Sequence, residues 1–126
     1  MIPEHSDRSL SDLWSLGGRR AVVTGAAKGI GAQIARRLSE AGASVLLADL
    51  DADAAVAMAS TIGTATGHST AGTALDIRDT TSIVTAAERA VSLWGGIDVW
   101  VSNAGIYPTT GPAIDAADTS STDSWR

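Results

Sequence analysis

The chain has 126 residues, 44% of them apolar and 18% charged, with a formal charge of −5 and no cysteine. That length suits one compact domain with a modest stability margin. Its nine Lys and Arg are scattered, which argues against nucleic-acid binding, where clustered cations neutralise phosphates. The lack of thiols excludes disulfides and thiolate-held metals.

Residues 1–17 read as a polar lead-in with one helical turn around Leu10, Leu13 and Trp14, broken by Gly17-Gly18. The first ten residues carry Glu4, Asp7 and Arg8 and no apolar run, unlike a secretory signal. No stretch approaches the roughly 20 apolar residues that span a bilayer. A soluble, cytoplasmic protein with neither membrane nor nucleic-acid partners is expected.

Arg20 to Thr24 is a short apolar run suited to a strand buried on both faces. A glycine-rich turn, Gly25 to Gly31, follows. The spacing predicts a helix from Ile30 to Ala41, with Ile30, Ile34, Ala35 and Leu38 inward and Gly42 as its stop. Ser44 to Asp49 reads as a second buried strand. Asp51 or Asp53 is placed to cap an alanine-rich helix running to about Thr61. Gly63 to Gly72, small and polar with three glycines, reads as a loop, and Thr73 to Ile77 as a weak third strand. Asp79 or Thr80 opens a third helix that ends at Trp94 before Gly95-Gly96, and Ile97 to Ser102 forms a fourth strand. Residues 106–126 read as loop and, from Thr122, the opening of a further helix. The strand–helix alternation predicts an α/β fold with a parallel sheet and helices on both faces.

The chemistry concentrates in Thr24-Gly25-Ala26-Ala27-Lys28-Gly29-Ile30-Gly31, where the glycines are spaced G-x-x-x-G-x-G. Gly25 lets the chain leave the strand sharply, Gly29 lets backbone approach a diphosphate, and Gly31 lets the helix pack closely. Free N–H groups and the helix dipole then face the anion. No Lys-Ser or Lys-Thr pair follows the last glycine, so this is not a Walker phosphate loop. Asp49 closes the second strand 18 residues after Gly31, near the offset of about 20 for an acid that holds an adenosine ribose. Its charge would repel a 2′-phosphate. Two like charges 4 Å apart cost about 4 kcal/mol at an effective dielectric of 20, on the order of a thousandfold in affinity. Asp49 therefore favours NAD over NADP, with Lys28 as a partial offset. The alternative is that Asp49 only caps the next helix. Asp49-Leu50-Asp51-Ala52-Asp53 also resembles a calcium loop, but Ala54 and Ser60 stand where glycine and a bidentate glutamate are required.

The fourth strand runs into Ser102-Asn103-Ala104-Gly105. With the Thr24–Gly31 turn, this Asn-Ala-Gly motif makes residues 18 to 126 resemble the cofactor half of the short-chain dehydrogenase/reductase family. Ser102 stands where the family often has Asn, and Trp100 where a smaller aliphatic residue is usual. The resemblance implies a Rossmann-like doubly wound parallel sheet, of about four strands and three helices here, with residues 18–105 as the NAD-binding half. It implies NAD as cofactor and hydride exchange with an alcohol or carbonyl substrate. Thr24, Gly25, Ala27, Lys28, Gly29, Ile30, Gly31, Asp49 and Leu50 would line the phosphate and ribose sites. Asp76, with the Ile77 backbone, would meet the adenine ring. Asn103, Ala104 and Gly105 would complete the site, with Asn103 tying strand ends together.

The same resemblance implies a Ser, a Tyr and a Lys four residues after it as the catalytic set. The only tyrosine is Tyr107, with Gly111 four places on, and the only lysine is Lys28. No catalytic residue and no metal site is therefore assigned, and little activity is expected from this chain alone. His5 and His68 fall in expected loops without a ligand pattern. An unpaired fourth strand predicts marginal stability and association into oligomers. The rivals are a non-catalytic nucleotide-binding module and a Rossmann-like methyltransferase, in which Asn103-Ala104-Gly105 has no place.

Overall fold

A computed structural model of the chain describes residues 15–103. The expected lead-in turn, Ala104, Gly105, Tyr107 and the C-terminal loop and helix opening lie outside these residues. Within them the order is β1 (Arg20–Thr24), α1 (Gly29–Glu40), β2 (Ser44–Asp49), α2 (Ala52–Thr66), β3 (Thr70–Ala74), α3 (Thr80–Trp94) and β4 (Val99–Val101). The strands form one parallel sheet in the order β3-β2-β1-β4. The chain thus steps outward from β1 to β3 and then returns to the far side of β1. That reversal opens a crevice at the carboxyl ends of β1 and β4, where open α/β sheets bind ligands.

Alternation along the strands feeds two cores. Val23, Val45 and Leu47 join Ala35, Ala55, Ala59 and Ile62 under α1 and α2. Val22, Leu46 and Ala48 face the other way and pack with Leu75, Ala86 and Ala90 of the α3 side. A strand buried on both faces reads as a continuous apolar run, which is why β1 and β2 match their expected bounds. Burying each such Val or Leu contributes about 1.5–3 kcal/mol.

Four expectations are corrected. Ile30 is 72% exposed, and the buried face of α1 is Gly31, Ala32, Ala35 and Ser39, with Ile34 and Leu38 at its margin. Ile30 stands in the first turn of α1, just before the buried face begins at Gly31 and Ala32. The stretch from Gly63 to Gly72 is not a loop. Gly63 lies inside α2, Gly67 closes that helix with φ of 76° and an N–H to the Gly63 carbonyl, and Gly72 lies in β3. β3 consequently begins at Thr70 and stops at Ala74, not at Ile77. A side-chain carbon on Gly72 would come 2.5 Å from the Val56 nitrogen, and one on Gly63 2.5 Å from Thr70 Oγ1. Close contact between α2 and β3 demands small residues, and small residues mimic a loop signal. β4 is also shorter than expected, because Ile97 and Asp98 only approach the sheet. Asp98 N–H donates to the Arg20 carbonyl at 2.7 Å.

Trp100 pairs in register with Val22 and packs half-buried against the α3-side core. Among the described residues β4 is bonded on one side only, to β1. No helix among the described residues is long and apolar enough to cross a membrane.

Candidate functional site

The carboxyl ends of β1, β2 and β3 share one edge of the sheet, and the glycine turn runs along it. Gly25 and Gly29 have φ of 64° and 63°, in the left-handed region that favours glycine. A side-chain carbon on Gly29 would meet nothing within 4 Å, so that residue leaves open space in front of the turn. Gly31 has ordinary φ but no room. A side-chain carbon there would run into the Gly25 carbonyl and lie 2.7 Å from Asn103 Nδ2. Its glycine is required by the turn and by β4, beyond the helix packing expected from sequence.

Helix α1 begins with unclaimed donors. Lys28 at the N-cap is extended, no side chain caps the helix, and its first turn holds no acid. The first N–H groups of a helix have no partner within it, and they sit at the positive end of its dipole. Lys28 is exposed and takes part in no ion pair among the described residues. By contrast, α2 and α3 are capped by Asp51, which accepts from Ala54 N–H, and by Asp79, which accepts from Thr81 N–H. α1 alone of the three offers an anion an open end.

Asp49 does not cap the following helix, since Asp51 does. Its Oδ2 instead accepts from Ala27 N–H at 3.1 Å, and its Oδ1 accepts from Asp51 N–H at 3.0 Å. The carboxylate therefore joins the end of β2 to the middle of the glycine turn. The sequence offset placed Asp49 near the site but gave no sign of this bond. Leu50 beside it is 69% exposed.

The β4 side is closed by Asn103. Its N–H donates to Thr24 Oγ1 at 3.0 Å, and its Nδ2 donates to the Gly25 carbonyl at 3.3 Å. Thr24 Oγ1 also lies 3.4 Å from the Val101 carbonyl. Asn103 thus ties the end of β4 to the end of β1.

On the other flank, Asp76 lies just beyond β3. Its N–H donates to Ser82 Oγ at 2.8 Å, and its carboxylate pairs with Arg78 at 3.1 Å. Side-chain hydrogen bonding from Arg78 holds the Asp76 carboxyl below its ordinary range. Ile77 is half-buried against the α3-side core. Neither Arg78 nor Ser82 was singled out from sequence, because an exposed arginine and a helical serine carry no motif. Thr24, Gly25, Ala27, Lys28, Gly29, Ile30, Gly31, Asp49 and Asn103 are gathered at one sheet edge, and Leu50, Asp76 and Ile77 extend it past β2 and β3. Among the described residues no group of three or more His, Cys, Asp or Glu is placed to hold a metal ion.

An exposed apolar groove of about 750 Å³ runs from this edge along α1, lined by Lys28, Ile30, Gln33, Ile34, Leu38 and Met58. It is not the crevice at the strand ends, and it bears none of the acids described above.

Known proteins resemble this chain in sequence and in fold. The family model described as short chain dehydrogenase matches residues 19–126. A cis-4-hydroxycyclohexanecarboxylate dehydrogenase of Sinomonas cyclohexanicum is 43% identical over 94 residues, 75% of this chain and 37% of that protein. A 2-dehydro-3-deoxy-L-rhamnonate dehydrogenase (NAD(+)) of a Sphingomonas strain is 37% identical over 95 residues, 75% of this chain and 36% of that protein. The crystal structure of a short-chain type dehydrogenase/reductase from Mycobacterium marinum superposes with a TM-score of 0.75 at 34% identity, covering 82% of this chain and 41% of that one. The chain thus spans little more than a third of the length of the relatives it matches. With the glycine turn, the parallel sheet and the match over most of its length, the chain belongs to the short-chain dehydrogenase family.

Proposed function

We propose that these residues hold NAD(H), as the cofactor-binding part of an oxidoreductase that moves hydride between NAD(H) and an alcohol or carbonyl. The observation that carries this reading is the Asp49 carboxylate bonded to Ala27 N–H beside the uncapped start of α1. An anion acceptor and a hydroxyl acceptor then stand side by side, as a diphosphate joined to a ribose requires.

In this reading the N–H groups of Gly29, Ile30 and Gly31 bind the diphosphate, with Lys28 adding positive charge outside. Asp49 accepts from the ribose hydroxyls with the lone pairs left by its two backbone bonds. Leu50 borders the sugar, and Asp76 and Ile77 border the base. Asn103, Ala104 and Gly105 bound the β4 side. The bound dinucleotide would supply a hydride donor or acceptor at its nicotinamide ring. The chain's own residues orient it and fix its sugar. NAD is preferred to NADP because Asp49 repels a 2′-phosphate, and the Sphingomonas relative is named for NAD(+).

The substrate class follows from the relatives' names, which are those of dehydrogenases of hydroxylated compounds. Tyr107 and Lys28 form no Tyr-x-x-x-Lys pair within these 126 residues, so the proposal for this chain is confined to holding the cofactor. Association of copies into a homo-oligomer and a cytoplasmic location belong to the same proposal.

Calorimetric titration with NAD, NADP and S-adenosylmethionine tests the reading. NAD is expected to bind most tightly, and Asp49→Ser to weaken NAD while narrowing its lead over NADP. A folded sample that ignores both dinucleotides would refute it. Turnover of an added alcohol by the chain alone, without a partner, would instead refute the expected lack of catalysis.

A further inference from the structure

Beyond Asp49 the carboxyl edge continues to the Asp76–Arg78 pair. Asp49 and Ala74 are register partners across β2 and β3, and Leu75 N–H donates to the Asp49 carbonyl at 2.8 Å. Asp76 therefore stands one strand further out, a step of about 4.8 Å between neighbouring strands. A ligand with its diphosphate at the β1 turn and its sugar at the end of β2 carries its base toward the end of β3.

The two oxygens of Asp76 are not equivalent. Oδ1 accepts twice from Arg78, from its backbone N–H at 3.0 Å and from Nε at 3.1 Å. Oδ2 accepts once, from Arg78 Nη2 at 3.2 Å. With about two acceptor sites per carboxylate oxygen, Oδ1 is filled and Oδ2 keeps one lone pair. The bond from Asp76 N–H to Ser82 Oγ fixes the backbone beneath. The two-point fork of Arg78 fixes the carboxylate plane, which a single-point cation would leave free to turn. The Arg78 side chain is 63% exposed and pairs with no other acid among the described residues, so its fork is committed to Asp76 alone.

We infer that Arg78 is a positioning residue for the base: its fork holds the plane of the Asp76 carboxylate, so that Oδ2 keeps a free acceptor for the exocyclic amine that the dinucleotide reading puts at this end of the site. This rests on the dinucleotide reading above. An amine at the purine 6-position donates to Oδ2. A 6-oxo group sets a carbonyl oxygen against the carboxylate and gains nothing. Once the fork is removed, the carboxylate rotates and is hydrated on both oxygens, and the distinction fades.

The test titrates the 126-residue chain, wild type, Arg78→Ala and Arg78→Lys, with NAD and with nicotinamide hypoxanthine dinucleotide. Wild type is expected to prefer NAD by about tenfold or more, the range of one hydrogen bond to a charged group. In both variants the preference is expected to shrink to within about threefold, with the melting temperature unchanged, since lysine keeps the charge and loses the fork. A merely structural arginine would alter melting and leave the ratio alone. Equal binding of the two dinucleotides by wild type, or an undiminished ratio in both variants, would overturn the role of Arg78 and leave the dinucleotide reading standing. Failure of wild type to bind either dinucleotide would overturn both.

Discussion

A methyl group at Gly31 has nowhere to go, because the Gly25 carbonyl and the Asn103 amide already occupy its place. Backbone carbonyls yield less readily than side-chain ends, so the turn or α1 must shift. Gly31→Ala is expected to destabilise the chain by about 1–3 kcal/mol, as overpacking does, and to weaken NAD binding by about tenfold or more as the turn moves. Denaturant unfolding beside an NAD titration checks both. Unchanged affinity in a folded variant would show that the shape of the turn does not matter. The three glycines were legible in the sequence as a motif. The neighbours of Gly31 were not, since Asn103 stands far along the chain and reaches the turn only when β4 docks on β1. The bond from Ala27 N–H to Asp49 was hidden for the same reason, although the offset between turn and acid was plain.

At the scale of elements, β3 is the instructive case. Its residues Thr-Ala-Gly-Thr-Ala carry almost no strand signal, yet they pair residue for residue with Val45 to Asp49. Tertiary packing overrides propensity because α2 lies almost on the backbone of Gly72. A β-branched residue normally favours a strand. Here the opposite sign is expected: Gly72→Val should lower stability by about 1–3 kcal/mol, while Ala74→Val, at an exposed strand end, should change it little. Urea midpoints of the two variants make the comparison, and a stabilised Gly72→Val would contradict the close approach. The starts of α2 and α3 were more legible, because Asp51 and Asp79, each one of two candidates offered by the sequence, cap by hydrogen bonds that are local in sequence.

At the scale of the molecule, an ion pair far from the site joins the amino ends of β1 and β4. Arg20 at the start of β1 meets Asp98 before β4, with Nε to Oδ2 at 2.9 Å and Nη2 to Oδ1 at 3.2 Å. Arg20 N–H donates to the same carboxylate at 2.9 Å. The guanidinium hydrogen bond, chiefly, lowers the Asp98 pKa from 3.8 to about 2. A depressed folded-state pKa stabilises above the unfolded value and loses that contribution as pH falls through the folded one. The pair therefore contributes fully above about pH 4 and is lost between 3.8 and about 2. Asp98→Asn is expected to lower stability at pH 6 and to flatten the acid decline of wild type over that window, as read by unfolding at a series of pH values. An identical decline in the variant would remove Asp98 from the account.

Patterns short in sequence were decided by the sequence itself: the apolar runs of β1 and β2, the caps of α2 and α3, the spacing of the glycines and the acid at the end of β2. Each depends on interactions a few residues apart or on a periodicity that the backbone imposes wherever it folds. The extent of β3, the exposure of Ile30, the grip of Asp49 on the turn and the Arg78 fork on Asp76 were settled only once helices and strands had packed. Those features depend on which surfaces touch, and a side chain's partner across a sheet is fixed by register and layer spacing, neither of which is written in any local run of residues.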